Sequence, residues 1–179
     1  MLNEMIFAGF GGQGVLSMGQ ILAQSALKEG KEVTWFPSYG PEMRGGTANC
    51  TVNISDQPIS SPVVNEYDVA VVLNLPSLKK FEPRVKEGGI LIWESTIIKE
   101  KPSREDIRTY AVPAVERATS VLENIKVMNM IMLGALVQVN GIVSKESLMA
   151  ALRETLPQRY HHLLPVNERA VNIGIDLVT

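Results

Sequence analysis

Two glycine-bearing stretches hold the residues best suited to chemistry. The first, Gly9-Phe10-Gly11-Gly12-Gln13-Gly14, follows the apolar run Met5-Ile6-Phe7-Ala8. Gly9, Gly11 and Gly14 stand at G-x-G-x-x-G spacing. That spacing suits a strand-to-helix turn where a ligand's phosphates approach backbone amides at a helix N-terminus. Tight strand–helix packing without a ligand is the competing reading. The extra glycine, Gly12, argues for close approach of a ligand or partner. The amide of Gln13 is placed to orient a phosphate or a pantetheine-like group. The second stretch is Ser38-Tyr39-Gly40-Pro41-Glu42-Met43-Arg44-Gly45-Gly46. Here Arg44 stands among small neighbours, as a guanidinium gripping a phosphate or carboxylate would. A surface ion pair with Glu42 is its alternative, and such pairs contribute little. Tyr39 either stacks on a ring or covers the core.

Asn74 and Ser77 follow the end of an expected central strand, the edge at which open α/β sheets bind ligands. Either could instead cap the helix starting near Pro76. The candidate binding set is therefore Gly9, Gly11, Gly12, Gln13, Gly14, Ser38, Tyr39, Glu42, Arg44, Gly45, Gly46 and Asn74. No nucleophile–base pair or triad is visible, so no catalytic residue is assigned. His161 and His162 are adjacent, point to different sides of a helix and have no cysteine or carboxylate cluster beside them. They read as surface or interface residues, and no metal site is assigned. Met128, Met130 and Met132 read as core or interface filler. A dinucleotide site would place an acid at the end of the second strand. That region is Trp35-Phe36-Pro37-Ser38, while Glu29 and Glu32 come too early. Ordinary NAD binding is disfavoured.

The elements that must position these residues follow from periodicity and punctuation. Met5–Gly9 reads as a buried strand. Gly14–Glu29 reads as a helix with Leu16, Ile21, Leu22, Ala23, Ala26 and Leu27 on one face, ended by Gly30. Glu32–Phe36 is a second strand, and Pro37 to Gly46 a long loop. Thr47–Ser55 alternates polar and apolar residues, as a half-exposed strand does, antiparallel or at an edge. Asp68–Leu73, Ile90–Trp93 and Ile107–Val112 read as parallel strands, with a short helix from Asn74 to about Val85. From Pro113 the pattern is helical: Ala114–Leu122, Asn124–Val139, Ser144–Leu156 and Pro165–Leu177. Ser144 supplies a cap and Gly141 a stop. The fold class is α/β: an open, mostly parallel Rossmann-like sheet with helices on both faces and a helical C-terminal part.

With 179 residues, 45% of them hydrophobic, the chain suits a single domain spanning 1–179. A net charge of -2 and no basic stripe argue against nucleic acid. The single cysteine, Cys50, excludes an internal disulfide framework and a four-cysteine iron–sulfur site, and fits a reducing cytoplasm. The N-terminus, with Glu4, does not read as a signal peptide. The apolar stretch Val127 to Val139 is too short to span a bilayer, so no membrane is expected.

The glycine loop followed by Ser38–Gly46 and Thr47-Ala48-Asn49-Cys50 resembles the gamma subunit of the 2-oxoacid:ferredoxin oxidoreductases. So do Leu73-Asn74-Leu75-Pro76-Ser77-Leu78 and Lys86-Glu87-Gly88-Gly89. The resemblance covers about residues 3–140. The second loop is most similar to that of the 2-oxoglutarate and 2-oxoisovalerate members, and 2-oxoglutarate is slightly preferred. The resemblance implies a cytoplasmic complex that oxidatively decarboxylates a 2-oxoacid, forms an acyl-CoA and reduces ferredoxin. It implies thiamine pyrophosphate and iron–sulfur clusters on alpha-, beta- and delta-type partners, none on this chain, and coenzyme A as co-substrate. It makes the amides of Gly11, Gly12 and Gly14 and the Arg44 guanidinium candidates for coenzyme A contact. A stand-alone nucleotide-binding oxidoreductase or transferase is the alternative.

Overall fold

Strands and helices interleave as far as Val112, and helices follow. The computed structural model describes residues 1–39 and 47–179, Tyr39 by its backbone alone. The strands are β1 (Leu2–Phe10), β2 (Glu32–Tyr39), β3 (Thr47–Ser55), β4 (Tyr67–Val72), β5 (Val85–Glu94) and β6 (Arg108–Val112). The helices are α1 (Val15–Lys28), α2 (Leu75–Phe81), α3 (Ala114–Ser120), α4 (Met128–Asn140), α5 (Lys145–Thr155) and α6 (Leu164–Asp176). Short 3-10 turns cover Glu82–Arg84, Ile125–Val127 and Gln158–Leu163.

One six-stranded sheet has the order β2-β3-β1-β4-β5-β6. β1, β4, β5 and β6 pair in parallel. β3 runs antiparallel to both its neighbours, β1 and β2. The sheet is mostly parallel, as expected, but β3 is not at an edge. Nor is it half exposed. Cys50, Val52 and Ile54 face α1, and Thr51, Asn53 and Ser55 on the other side are buried too. Asn53 donates its Nδ2 to the Pro62 carbonyl at 3.3 Å, so the coil after β3 folds back over the polar face. Alternation reads as half exposure only when nothing covers the polar side.

β2 takes the edge instead, and it extends through Pro37-Ser38-Tyr39, where a loop was expected. A proline is tolerated on an edge strand because one side of the backbone needs no ladder donor. β5 likewise starts earlier than Ile90. Gly88, at φ 73°, lies inside it beside a register irregularity against β4.

The sheet buries both faces. On one, α1 packs against β1, β2 and β3, and α4 reaches β5. Met5, Phe7, Val69, Val71 and Ile92 of the sheet join Met130, Ile131 and Met132 of α4 in this core. On the other, α2 covers Ile6, Ala8, Ala70 and Val72 with Leu78 and Phe81. The punctuation follows the sequence. Gly30 and Gly141 are left-handed, at φ 73° and 66°. Ser144 Oγ accepts the Ser147 amide at 3.1 Å. Leu27 departs from the expected α1 face and is 50% exposed. α4 and α6 cross so closely that a Cβ on Gly134 would lie 2.1 Å from the Val171 carbonyl oxygen. One on Gly174 would lie 1.9 Å from that of Ile131. Among the described residues no helix is long and apolar enough to cross a membrane.

Candidate functional site

The glycine loop leaves the C-terminal end of β1 and enters α1. Gln13 builds it. Its Oε1 accepts the Phe10 amide at 2.6 Å, its Nε2 reaches the Leu73 carbonyl at 3.3 Å, and its own amide donates to the Phe10 carbonyl at 3.2 Å. Both ends of the Gln13 amide are thus engaged inside the protein, clamping the loop onto the end of β4. Gln13 thus has a structural role beside the expected one of orienting a ligand. Gly9 is likewise a packing residue: a Cβ there would meet Gln13 Oε1 at 2.7 Å and Leu73 Cβ at 2.9 Å.

Gly12 and Gly14 serve a different purpose. Both are left-handed, at φ 92° and 77°, a region open to glycine at no steric cost. A Cβ on Gly12 would meet none of the described residues within 4 Å. Gly14 is the N-cap of α1 and offers no side-chain oxygen to the first turn, which also carries no acid. Its carbonyl accepts the Met18 amide at 2.9 Å. The amides of Val15, Leu16 and Ser17 therefore lack a capping partner from that position and lie at the positive end of the helix dipole.

That helix end opens on a hollow of about 340 Å³ lined by Phe10, Gly11, Gly12, Gly14, Ser17 and Thr47, among others. Strand register brings the second loop's roots here. Phe10 pairs with Thr47 and Gly9 with Ala48 across β1 and β3, and Ala48 pairs with Tyr39 across β3 and β2. The segment containing Glu42, Arg44, Gly45 and Gly46, and the Tyr39 side chain, lie outside the described residues. The same register explains why a ribose-reading acid is missing. The neighbour of β1 is antiparallel β3, whose end at this edge is Thr47-Ala48.

A smaller hollow of about 180 Å³ lies across the loop, lined by Gly12, Gln13, Ile97, Val115, Ile125 and Lys126, with Met128. Ile97 and Ile125 are 48% and 56% exposed there.

The remaining candidates separate. Asn74 caps α2, its Oδ1 accepting the Ser77 amide at 2.8 Å. Its Nδ2 is buried without a partner among the described residues. It lines neither hollow. Ser38 faces the opposite side of the sheet, in another hollow. Cys50 is fully buried, its Sγ 3.6 Å from the Val15 carbonyl, and burial pushes its thiol up to about 12. It is a packing residue. His161 and His162 sit beside the Leu156 and Arg159 carbonyls, at 2.9 and 3.1 Å, in the turn before α6.

Two residues at the site escape the sequence reading. Asn129, in the first turn of α4, lies so close that a Cβ on Gly14 would be 2.4 Å from its Nδ2. Its signal was a polar residue interrupting an apolar helix. Ser17 is the other, a hydroxyl in the first turn of α1.

Comparison with known proteins gives a consistent family. Residues 4–177 match the family described as pyruvate ferredoxin/flavodoxin oxidoreductase. Ketoisovalerate oxidoreductase subunit VorA of Methanothermobacter marburgensis is 41% identical over 171 residues, covering 94% of this chain and 35% of that protein. 2-Oxoglutarate synthase subunit KorC of Methanocaldococcus jannaschii is 38% identical over 160 residues, covering 88% of this chain and 86% of the relative. The chain thus spans about a third of the VorA length and most of the KorC length. The crystal structure of a keto/oxoacid ferredoxin oxidoreductase gamma subunit from Geobacter sulfurreducens superposes with a TM-score of 0.87 at 30% identity, covering 99% of this chain and 97% of that one.

Proposed function

The chain belongs to the pyruvate ferredoxin/flavodoxin oxidoreductase family, and from that premise we propose that it is the gamma component of a cytoplasmic 2-oxoacid:ferredoxin oxidoreductase. Its task in this reading is to hold coenzyme A while partner subunits carry out the decarboxylation and electron transfer. The observation that carries the proposal is the α1 N-terminus. It is uncapped by a side chain, free of acids, and open on the hollow beneath the roots of the 40–46 segment. Such a site favours a pyrophosphate, because the amides donate and the dipole attracts negative charge. Glycine at position 12 lets the ligand reach the backbone. Arg44 adds a guanidinium for a phosphate, and Glu42, Gly45, Gly46 and Tyr39 belong to the same loop.

The electron-carrying chemistry belongs to other chains. An iron–sulfur cluster needs several thiolates, and this chain has only Cys50, behind α1. Thiamine pyrophosphate would supply the carbanion chemistry from a partner subunit. Alpha-, beta- and delta-type subunits and ferredoxin are the partners this reading requires.

For the substrate, 2-oxoglutarate is favoured because the KorC relative matches over most of its own length. A branched-chain 2-oxoacid is the second reading, favoured by the 41% identity to VorA. The test is isolation from the host under anoxic conditions, native mass spectrometry, and assay of thiamine pyrophosphate and iron on the same sample. Ferredoxin reduction is then followed with each 2-oxoacid, with and without coenzyme A. Reduction dependent on coenzyme A and 2-oxoglutarate supports the reading. A chain that arrives alone, without cofactors, refutes it.

A further inference from the structure

A third hollow lies on the face of the sheet away from α1. Pro62, Val63 and Val64 cross that face above β2 and β3, and with α2 and the following turn they enclose about 230 Å³. The strands present Phe36, Ser38, Asn49 and Thr51 to it. Trp35 and Cys50, their alternating neighbours, sit against Gly19 of α1 on the other face. The sheet itself therefore separates this hollow from the helix side.

Two cations border it. Lys80 Nζ lies 5.2 Å from the Phe81 ring centre, and Arg84 Cζ lies 5.8 Å from the same ring and 5.1 Å from that of Tyr67. Among the described residues neither cation has a carboxylate within 4 Å. No acid among the described residues lines the hollow. Two positive groups at one buried ring, with no counter-charge among the described residues, repel each other, and an anion between them relieves this.

The donors narrow the anion. Arg84 Nε donates to the Asn65 carbonyl at 2.7 Å and Nη2 to that of Val64 at 3.3 Å. One edge of the guanidinium is thereby occupied, and its Nη1–Nη2 edge is left to an anion. What remains is that edge, the exposed ammonium of Lys80, two hydroxyls from Ser38 and Thr51, and the Asn49 amide. A tetrahedral dianion with three terminal oxygens uses such scattered donors better than a planar carboxylate does. Phe36, 49% exposed, and Val63, 67% exposed, give the mouth an apolar wall.

We propose that this groove between the β2–β3 strands and α2 binds a phosphomonoester carried on a flat, partly apolar body. Lys80 and Arg84 hold the phosphate and Phe36 and Val63 the body. The site is separate from the glycine-loop hollow and does not depend on the coenzyme A reading.

The test is isothermal titration of the full chain with adenosine 5′-monophosphate at low salt, with adenosine and inorganic phosphate as the two halves of the probe. Saturable binding of the nucleotide is expected, weakened by added salt as an ion contact must be. Each half alone should bind more weakly. Lys80→Gln, at an exposed position, should leave the melting curve in place and weaken binding about tenfold, the scale of one charged hydrogen bond. Thr51→Val should weaken it several-fold. Gly12→Ala, which alters the glycine loop, should leave it unchanged. The proposal is overturned if no saturable binding occurs at millimolar nucleotide, or if adenosine binds as well as its phosphate. It is also overturned if Gly12→Ala abolishes binding while Lys80→Gln does not.

Discussion

Replacing Gly14 by alanine should cost more than replacing Gly12, although both glycines are left-handed. An alanine at φ 92° in place of Gly12 meets none of the described residues within 4 Å, so among them only the backbone resists. That resistance is about 1–2 kcal/mol. Gly14→Ala has the same backbone cost at φ 77°, and its Cβ would stand 2.4 Å from Asn129 Nδ2 and 2.9 Å from Asn129 Cγ. Asn129 is buried in the first turn of α4 and must shift. Crowding of this kind adds about 1–3 kcal/mol. In a chain of this size each kcal/mol lowers the melting temperature by about 2–4 °C. Gly14→Ala should thus melt roughly 2–12 °C below Gly12→Ala, followed by circular dichroism. Adding Asn129→Ala to Gly14→Ala should return most of that difference, because it removes the atoms in the way. The double-mutant cycle then reads the clash directly. Should the two glycine variants melt together, or Asn129→Ala deepen the loss in Gly14→Ala, the contact between the glycine loop and α4 is not what sets the cost.

Other outcomes follow from the same structure. Gly174→Ala forces a Cβ to within 1.9 Å of the Ile131 carbonyl oxygen, backbone that cannot rotate aside. It should lower stability by more than about 4 kcal/mol, read as loss of the folded baseline in a urea titration. Cys50, with its thiol pushed up to about 12 by burial, should resist a thiol reagent at pH 8 until the chain is unfolded. At Lys86, burial lowers the pKa, but hydrogen bonds to Glu4 at 2.7 Å and Asp68 at 2.9 Å outweigh it and raise the pKa above 10.5. A raised lysine contributes stability that is complete below 10.5 and lost as the pH climbs through the folded value. Wild type should therefore lose more melting temperature than Lys86→Met above pH 10.5. In the assembled enzyme, Arg44→Ala should raise the Michaelis constant for coenzyme A about tenfold or more, the scale of a lost charged contact. Unchanged kinetics would remove Arg44 from the binding set.

The central strands were readable because apolar β-formers buried on both faces leave no competing pattern. Met5–Ala8 and Val69–Val72 are of this kind. The caps were readable because they are local: Gly30, Gly141, Ser144 and Asn74 each act within a turn or so of their own position. Long-range relations were not. Nothing in Thr47–Ser55 says that the coil near Pro62 will bury its polar face, and nothing near Pro37 says that the strand continues. Both depend on which neighbour each strand finds. The site divides the same way. Glycine spacing identified the loop, but separating Gly9, which packs, from Gly12, which no described residue approaches within 4 Å, needed the positions of Leu73 and Gln13. Asn129 reaches Gly14 from across the fold, at a distance in sequence that no motif spans.

The placement of β3 between β1 and β2 limits how the chain can change over evolutionary time. Because β3 pairs with both neighbours, its register fixes where the 40–46 segment begins and ends relative to Phe10. A one-residue insertion within β3 would turn its buried residues to the opposite faces. A two-residue insertion would keep the faces but carry the segment's root about 7 Å along the sheet. Around β3, length variation is therefore expected only in the 40–46 segment itself and in the coil between β3 and β4. Homologous chains should hold Thr47–Ser55 without a gap and take up nearby length differences at those two places.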